Sequence, residues 1–150
     1  MTRMRFLCLA CLILQLKDLR QYSPDSTLLF AFLVPTPTGY KKSIMDAIAP
    51  VRDLLYDSHV HDFQMQPQGP DNKHVVPAFF VQSNGLVETQ ASLYRPITKK
   101  GDPRIWFYDL KKHCHPCNLL ALTVIDEAIY IFNLSDPAVA DSLLHQGLCI

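Results

Sequence analysis

The pair Asn84-Gly85, placed between two runs of strand-forming residues, is the feature that most restricts how this chain can fold. Residues His74 to Gln82 precede the turn and residues Leu86 to Leu93 follow it. An Asn-Gly pair between such runs is a strong local signal for a two-stranded antiparallel hairpin. Proline cannot donate a hydrogen bond to a sheet, so Pro77 predicts that the first strand lies at an edge or carries a bulge.

Two further strand regions are expected from apolar runs. Leu119 to Ile125 and Ala128 to Leu134 bracket Asp126-Glu127, which predicts a second hairpin. Thr27 to Val34 is a continuous apolar run of strand length, and such runs usually lie in the middle of a sheet that is covered on both faces. We therefore expect a central strand there, ended by the proline- and glycine-containing turn that follows.

Two helices are expected to pack on this sheet. Apolar residues recur at three- and four-residue spacing from about Lys41 to Tyr56, as in an amphipathic helix, and Pro50 should kink that helix or mark a new first turn. Ser135-Asp136-Pro137 has the form of a helix start and predicts a short helix to His145, ended by Gly147. The polar residues 57–72 predict a long loop.

The order of these elements predicts an α+β fold: a mainly antiparallel sheet built from two hairpins and a central strand, with two packing helices. A chain of 150 residues, of which 49% are hydrophobic and 19% charged, suits one globular domain, which we place at residues 27–147. The formal net charge is zero, so binding to a polyanion would have to use a local patch.

Residues 1–24 are set apart as an apolar leader or a non-native extension. Arg3 and Arg5 precede an apolar run from Phe6 to Leu16, which has the outline of a secretory signal, but Lys17-Asp18-Leu19-Arg20 offers no cleavage site after it. Three interpretations stay open: a buried helix or strand, a non-native start, and a working signal. The run is shorter than the ~20 residues that cross a bilayer, so no membrane partner is expected.

The cysteines indicate the compartment. An odd number of five, in a chain large enough to fold without disulfides, is typical of a reducing environment, so we predict a cytoplasmic protein. Residues 113–117 are the most metal-like part of the sequence, but two ligands do not make a site. We expect no metal and no cofactor, and keep four weak metal candidates at a turn: His113, Cys114, His115 and Cys117.

Positive charge is concentrated between Tyr94 and Asn118. Six basic residues there are balanced only by Asp102 and Asp109, and four aromatic residues, including the single tryptophan, are interleaved with them. Basic side chains meet phosphates and aromatic rings offer flat faces to bases, so the combination favours a nucleic-acid surface. The alternative is that the rings belong to the core and the lysines form a solvated rim.

A second phosphate contact is predicted just before the amphipathic helix. Lys41 and Lys42 would lie in the first turn of that helix, where they oppose its dipole, and an external phosphate would relieve the cost. The turn resembles a nucleotide-hydrolysing phosphate loop only faintly, because Tyr40 stands where that motif has lysine. No catalytic residue is identified. His59 and His61 form an H-x-H in the polar loop, where solvated histidines are the simpler interpretation.

Two stretches, residues 33–47 (LVPTPTGYKKSIMDA) and residues 97–107 (ITKKGDPRIWF) running on to NLLAL at 118–122, resemble the N-terminal region that precedes the nuclease domain in bacterial MvaI/BcnI-type restriction endonucleases. With YIFNLS at residues 130–135, the similarity covers roughly residues 27–147. It implies a DNA-recognition or effector module of restriction-modification or phage-defence type, detached from a nuclease domain. The leader and residues 113–117 depart from the family's pattern.

The resulting hypothesis is a DNA-binding module that is not an enzyme by itself, with duplex DNA and a nuclease domain or subunit as partners. Trp106 and Tyr108 would stack or insert, and Arg95 and Arg104 would read guanine, to which arginine makes bidentate contacts. Contacts to phosphates or base edges are assigned to six residues: Arg95, Lys99, Lys100, Arg104, Lys111 and Lys112. The alternative is a protein-interaction or oligomerisation module that binds an acidic partner. The oligomeric state is left open.

Overall fold

A computed structural model describes residues 29–145 and confirms the α+β class with a mainly antiparallel sheet. Within these residues the chain forms seven strands: β1 (Ala31–Leu33), β2 (Met45–Asp46), β3 (His74–Gln82), β4 (Gly85–Tyr94), β5 (Arg104–Phe107), β6 (Leu120–Ile125) and β7 (Ala128–Asn133). It also forms three α-helices: α1 (Pro37–Lys42), α2 (Ala49–Asp57) and α3 (Pro137–His145). The predicted leader and the expected helix end at Gly147 lie outside the described residues.

The seven strands belong to one sheet, in the order β1-β6-β7-β3-β4-β5-β2. Every neighbouring pair is antiparallel except β3 and β7, which run parallel. β1 and β2 are therefore the two edges, and the chain passes from one edge to the other through residues 34–44, which contain α1. Residues of both edge strands line one cavity, so the sheet curls until its edges approach each other.

Both predicted hairpins are confirmed. β3 pairs with β4 from His74 opposite Leu93 to Gln82 opposite Gly85. β6 pairs with β7 across a two-residue turn, in which Asp126 (φ 50°) and Glu127 (φ 65°) both adopt the left-handed conformation. Positive φ at both central residues defines the type I′ turn, whose twist matches that of an antiparallel hairpin.

Pro77 lies inside the sheet, at a place where its missing N–H costs little. β4 accompanies β3 along its whole length, but the pairing of β3 with β7 begins only at Ala78. β3 is therefore an interior strand, and the predicted edge position is correct only for the residues before Ala78. A strand tolerates proline where it has a single neighbour.

Within the strand predicted at Thr27 to Val34, the described residues form β1 at an edge of the sheet, so the prediction of a central strand is wrong. Its partner in the sheet is β6. Its side chains alternate: Ala31 and Leu33 are buried, whereas Phe32 is 42% exposed. This alternation is not visible in the sequence, because the outward-facing residues of the run are also apolar.

The single helix predicted from Lys41 to Tyr56 is divided into α1, β2 and α2. Ser43 adopts the left-handed conformation and ends α1, and β2 pairs with β5 before Pro50 enters the first turn of α2. Pro50 thus marks a new first turn, which is one of the two roles expected for it. The later part of the apolar stripe is confirmed, since three of its side chains are buried in α2: Val51, Leu54 and Leu55.

Two packed layers cover the sheet. One layer joins α2 to buried side chains of several strands, among them Leu93, Ile105, Phe107 and Leu122. In the other, the rings of Phe79 and Tyr130 stack with their centroids 5.1 Å apart, in the same cluster as Val139 and Leu143 of α3. α2 and α3 are the two packing helices that were expected, and α1 is an additional one. Burial of these apolar side chains is the main term that stabilises the fold.

The β6–β7 turn gives a test of the fold. Glycine accepts positive φ without the cost that a β-carbon adds there, about 1–2 kcal/mol for a residue in the left-handed region. Glu127→Gly should therefore raise the free energy of unfolding by about 1 kcal/mol, or the melting temperature by roughly 2–4 °C. Glu127→Ala keeps the β-carbon and is the control, which should show no such gain. A loss of stability in Glu127→Gly would contradict the type I′ assignment.

Candidate nucleic-acid interface

Helix α1 places Lys41 and Lys42 differently from the prediction. The Thr36 hydroxyl oxygen accepts a hydrogen bond from the Gly39 N–H at 3.0 Å, Pro37 occupies the first turn, and both lysines lie in the last turn. The prediction that they begin a helix is therefore wrong. At the C-terminal end the dipole favours positive charge, so relief of a dipole cost gives no reason for a phosphate to bind. Any phosphate contact must come from the charges that surround them.

The basic segment holds α1 in place. The Tyr40 hydroxyl lies 3.0 Å from the carbonyl oxygen of Cys114 and 3.3 Å from that of Lys111. Lys111 Nζ donates to the Lys41 carbonyl oxygen at 3.2 Å and lies 5.6 Å from the centroid of the Tyr40 ring. Lysines about 70 residues apart in the sequence are thus neighbours on the surface.

A groove between the two edges of the sheet connects α1 to a third lysine-bearing segment, the turn that contains Lys99. The cavity has a volume of about 680 Å³, and we call it the edge groove. Lys42 lines it from α1 and Lys99 from the turn that follows β4. Its other lining residues include exposed or half-exposed side chains of both edge strands, of the residue that follows β1, and of β4: Phe32, Asp46, Val34 and Tyr94.

The contacts around α1 and the edge groove link five exposed lysines, which we call the lysine band: Lys41, Lys42, Lys99, Lys111 and Lys112. Beyond α1, Lys111 and Lys112 also line a second cleft of about 340 Å³. The Lys112 ammonium lies 3.6 Å from the Asp109 carboxylate, but both side chains are exposed, so solvent screens this pair strongly. Lys100 is exposed beside Lys99 in the sequence but does not line the edge groove.

Arg95 is bound within the protein. Its Nε donates to the Gly101 carbonyl oxygen at 2.9 Å, and its Nη1 lies 3.2 Å from the Gln66 carbonyl oxygen and 3.4 Å from that of Phe63. A bidentate contact to guanine needs two guanidinium nitrogens, and each possible pair includes one that is already engaged. Arg95 instead fixes the turn that carries Lys99 against the loop of residues 57–72.

Arg104 is engaged as well. It lies directly opposite Asp46 in the β5–β2 pairing, and its Nη1 donates to an oxygen of the Asp46 carboxylate. The Arg104 side chain is 13% exposed, and its Nε is buried with no hydrogen-bond acceptor within residues 29–145. The ion pair offsets the negative charge of Asp46 in the edge groove.

The aromatic residues divide between core and surface. Trp106 is half-buried and packs against the core that α2 covers, which agrees with the core interpretation for this ring. Tyr108 is exposed, and its main chain is fixed by bonds to Gln90 and Thr89. Sequence reasoning missed Phe32 as a site residue, because a continuous apolar run was assigned to the sheet interior. The alternating burial of β1 is the signal that identifies it.

The four weak metal candidates do not form a metal cluster. Burial raises the pKa of the Cys114 thiol to about 11, so it stays protonated at neutral pH. The His113 ring stacks on Phe80 with centroids 4.2 Å apart, and its Nδ1 lies 2.7 Å from Gln82 Nε2, which donates to it. Within residues 29–145, no group of three or more potential ligands could hold a metal ion. His115 and Cys117 are exposed on the same segment.

The histidines of the polar loop differ from each other. His59 is exposed, whereas His61 is half-buried in a network centred on the buried Gln66. Gln66 Nε2 donates to the carbonyl oxygens of Asn72 and Leu93, both at 2.8 Å, so its Oε1 accepts from His61 Nε2 at 3.0 Å. His61 Nδ1 is then left to accept from His74 Nδ1 at 2.8 Å. This arrangement holds for a neutral His61, which burial favours by lowering the pKa of the ring, and the expectation that His61 is a solvated histidine is wrong.

The described chain is thus an α+β protein built on one curled sheet, with a lysine band beside the gap between the two sheet edges. No family model, curated protein or solved structure matches the sequence. The resemblance to MvaI/BcnI-type endonucleases therefore stays a prediction. Among residues 29–145, no helix has the length and apolar character needed to cross a membrane.

The role of Arg95 can be measured through stability. Arg95→Lys keeps the charge but cannot reach three carbonyl oxygens at once, so it should lower the free energy of unfolding by about 2 kcal/mol. Lys100→Ala removes an exposed charge nearby and should change stability by less than about 0.5 kcal/mol. Urea unfolding of both variants makes the comparison. Equal stability of Arg95→Lys and the unmodified protein would show that Arg95 is free for a ligand.

The His61 network predicts a pH dependence. Burial lowers the pKa of His61, and burial likewise lowers that of His113, so the unfolded chain binds protons at these positions before the folded chain does. The stability that these neutral histidines contribute is fully present above their pKa in the unfolded chain, about 6.5, and is lost as the pH falls below that value. The melting temperature should decrease between pH 7.5 and pH 5.5. His61→Gln should flatten this decrease, and the exposed control His115→Gln should not. An unchanged slope in His61→Gln would contradict the network.

Proposed function

We propose that this chain is a nucleic-acid-binding module that contacts the phosphate backbone through the lysine band. The observation that carries the proposal is the convergence of exposed lysines from three separate segments on one surface, in a chain whose formal net charge is zero. Convergence of this kind is not needed for folding, since lysines on separate surfaces would be solvated equally well. An extended polyanion is the partner that uses it best.

The resemblance to the region that precedes the nuclease domain in MvaI/BcnI-type proteins supports DNA as that polyanion. The proposed module binds but does not cut, and a nuclease domain or subunit of a restriction-modification or phage-defence system would supply the chemistry. The two cysteines in the described part of the chain, Cys114 and Cys117, are both unpaired, which suits the reducing cytoplasm where such systems act.

Ammonium groups act as point charges that fit phosphates without fixed geometry. If all five lysines of the band displaced counterions from duplex DNA, the logarithm of the binding constant would fall with the logarithm of the salt concentration with a slope of about −4.5. The proposal therefore predicts micromolar binding at low salt, little sequence preference and a steep loss of affinity as salt is raised.

Binding of a labelled random-sequence duplex at increasing salt concentrations tests this function. The triple variant Lys42→Ala/Lys99→Ala/Lys111→Ala removes one lysine from each of the three segments and should make the salt slope shallower by about 3. Lys99→Ala and Lys100→Ala each remove one exposed lysine, but only Lys99 lines the edge groove and belongs to the band, so Lys100→Ala is the matched control and should keep the slope.

Two results would contradict the proposal. One is no binding of duplex or single-stranded DNA by the folded protein at low salt. The other is an equal effect of Lys100→Ala and Lys99→Ala, which would mean that binding follows total charge rather than the band. A protein-interaction module would instead bind an acidic protein without competition from random duplex DNA.

A further inference from the structure

We infer that the edge groove is a binding site for one nucleotide, with the phosphate at Lys42 and Lys99 and the base against the rings of Phe32 and Tyr94. The nucleotide is either free or an unpaired nucleotide within a strand that the lysine band holds. The second case rests on the proposed function and deepens it, because it specifies what part of a nucleic acid the groove takes.

The size and walls of the groove suit a small ligand. Its volume of about 680 Å³ lies within the range of roughly 300–1,000 Å³ that small-molecule sites occupy. The two sheet edges form its walls, with Phe32 and Val34 on one side and Met45 and Asp46 on the other. These walls are set by the sheet and by α1, so the groove exists without any rearrangement of the described residues.

The two aromatic rings provide surfaces for a base. Phe32 is 42% exposed, although its neighbours Ala31 and Leu33 in the same strand are almost fully buried. Tyr94 lies opposite Arg104 in the β4–β5 pairing and lines the groove, and the ammonium of Lys73, which does not line the groove, lies 5.0 Å from the centroid of its ring. Stacking of a base on an aromatic ring accepts every base, because each has a flat face. An exposed phenylalanine that faces a cavity is otherwise unfavourable in water.

The charges of the groove favour an anion. Its charged lining residues are Lys42, Lys99 and Arg104 against Asp46, three positive charges and one negative, so the lining carries a net charge of +2. The Asp46 carboxylate is paired with Arg104, so it does not neutralise Lys42 or Lys99. The two lysine ammonium groups are thus left for the ligand. The lining also includes Thr38 and Thr98, whose hydroxyl groups can donate to phosphate or sugar oxygens. An apolar wall lined in addition by two lysines matches a base joined to a phosphate.

Such a site distinguishes unpaired from paired nucleotides. In a duplex each base is stacked on its neighbours and paired across the helix, so its faces are not available to Phe32 or Tyr94. A single strand can place one base in the groove while its other phosphates follow the lysine band across α1. The groove therefore predicts tighter binding of single strands than of a blunt duplex of the same length.

The experiment uses the full chain and three probes: a labelled 12-nucleotide oligo(dT) strand, a blunt 12-base-pair duplex, and thymidine monophosphate. Phe32→Ala should weaken binding of the single strand about tenfold or more and leave duplex binding unchanged. Phe32→Tyr keeps a ring and should restore the affinity. Tyr56→Ala removes an exposed aromatic residue from α2, outside the groove, and is the matched control.

The outcomes distinguish a free nucleotide from an unpaired nucleotide within a strand. They also test the nucleotide site separately from the proposed function. Phe32-dependent binding of the strand alone assigns an unpaired nucleotide within a strand, and Phe32-dependent binding of thymidine monophosphate without the strand assigns a free nucleotide. If Phe32→Ala and Tyr56→Ala behave alike with every probe, while duplex binding keeps its dependence on the lysine band, the nucleotide site is overturned and the proposed function stands. If none of the three probes binds, both are overturned.

Discussion

The passage of the chain from one edge of the sheet to the other through residues 34–44 is the constraint on which the rest of the structure depends. β1 and β2 lie at opposite ends of a seven-stranded sheet within residues 29–145, yet only a short segment with one small helix joins them. A curled sheet lets this segment cover the distance, and the Tyr40 hydroxyl, whose single proton faces the carbonyl oxygens of Cys114 and Lys111, then holds α1 against residues 111–114. The edge groove is the space that remains between the two edges.

The same path of residues 34–44 also brings the positively charged lysines close to one another. Because α1 lies over the gap between the edges, Lys42 faces the groove that Lys99 lines from the other end of the basic segment. Because the Tyr40 hydroxyl fixes α1 to residues 111–114, Lys41 and Lys111 lie together. The main-chain path of residues 34–44 thus places lysines side by side that have no common element of secondary structure. A substitution that released Tyr40 would be expected to disperse the lysine band before it affected the buried core.

The parts of the fold that the sequence predicted well are those decided by neighbouring residues. The hairpin turns at Ser83-Asn84, just before Gly85, and at Asp126-Glu127 follow from local backbone preferences, and Pro50 starts a helix because its φ suits a first turn. The edge position of β1 depends on which strands pair across the whole sheet, and a run of apolar residues does not encode it. The end of α1 at Ser43 was not predicted, because Ser43 adopts the left-handed conformation at a position where glycine or asparagine is the usual sequence signal.

The candidate site was predictable in composition but not in geometry. The surplus of positive charge near Tyr94 to Asn118 is visible in the sequence, and the structure connects Lys99 and Lys111 of that segment to α1. The sequence could not show that Arg95 serves carbonyl oxygens of a loop that is distant in the chain, nor that Phe32 faces a groove. Both depend on contacts between segments that are far apart along the chain.

The arginines and the lysines of the described residues make different contacts, and this difference favours a particular kind of binding. Each arginine within residues 29–145 donates to a group of the protein: Arg52 to the Ala47 carbonyl oxygen, Arg95 to three carbonyl oxygens, and Arg104 to Asp46. Every lysine in the same range has an exposed side chain. The planar guanidinium fork reads base edges, whereas the flexible ammonium group meets phosphates without regard to sequence. Under the proposed function, a surface that keeps its arginines for internal bonds and offers lysines outward would contact the backbone of a nucleic acid, and any sequence recognition would be the task of the proposed partner domain or subunit.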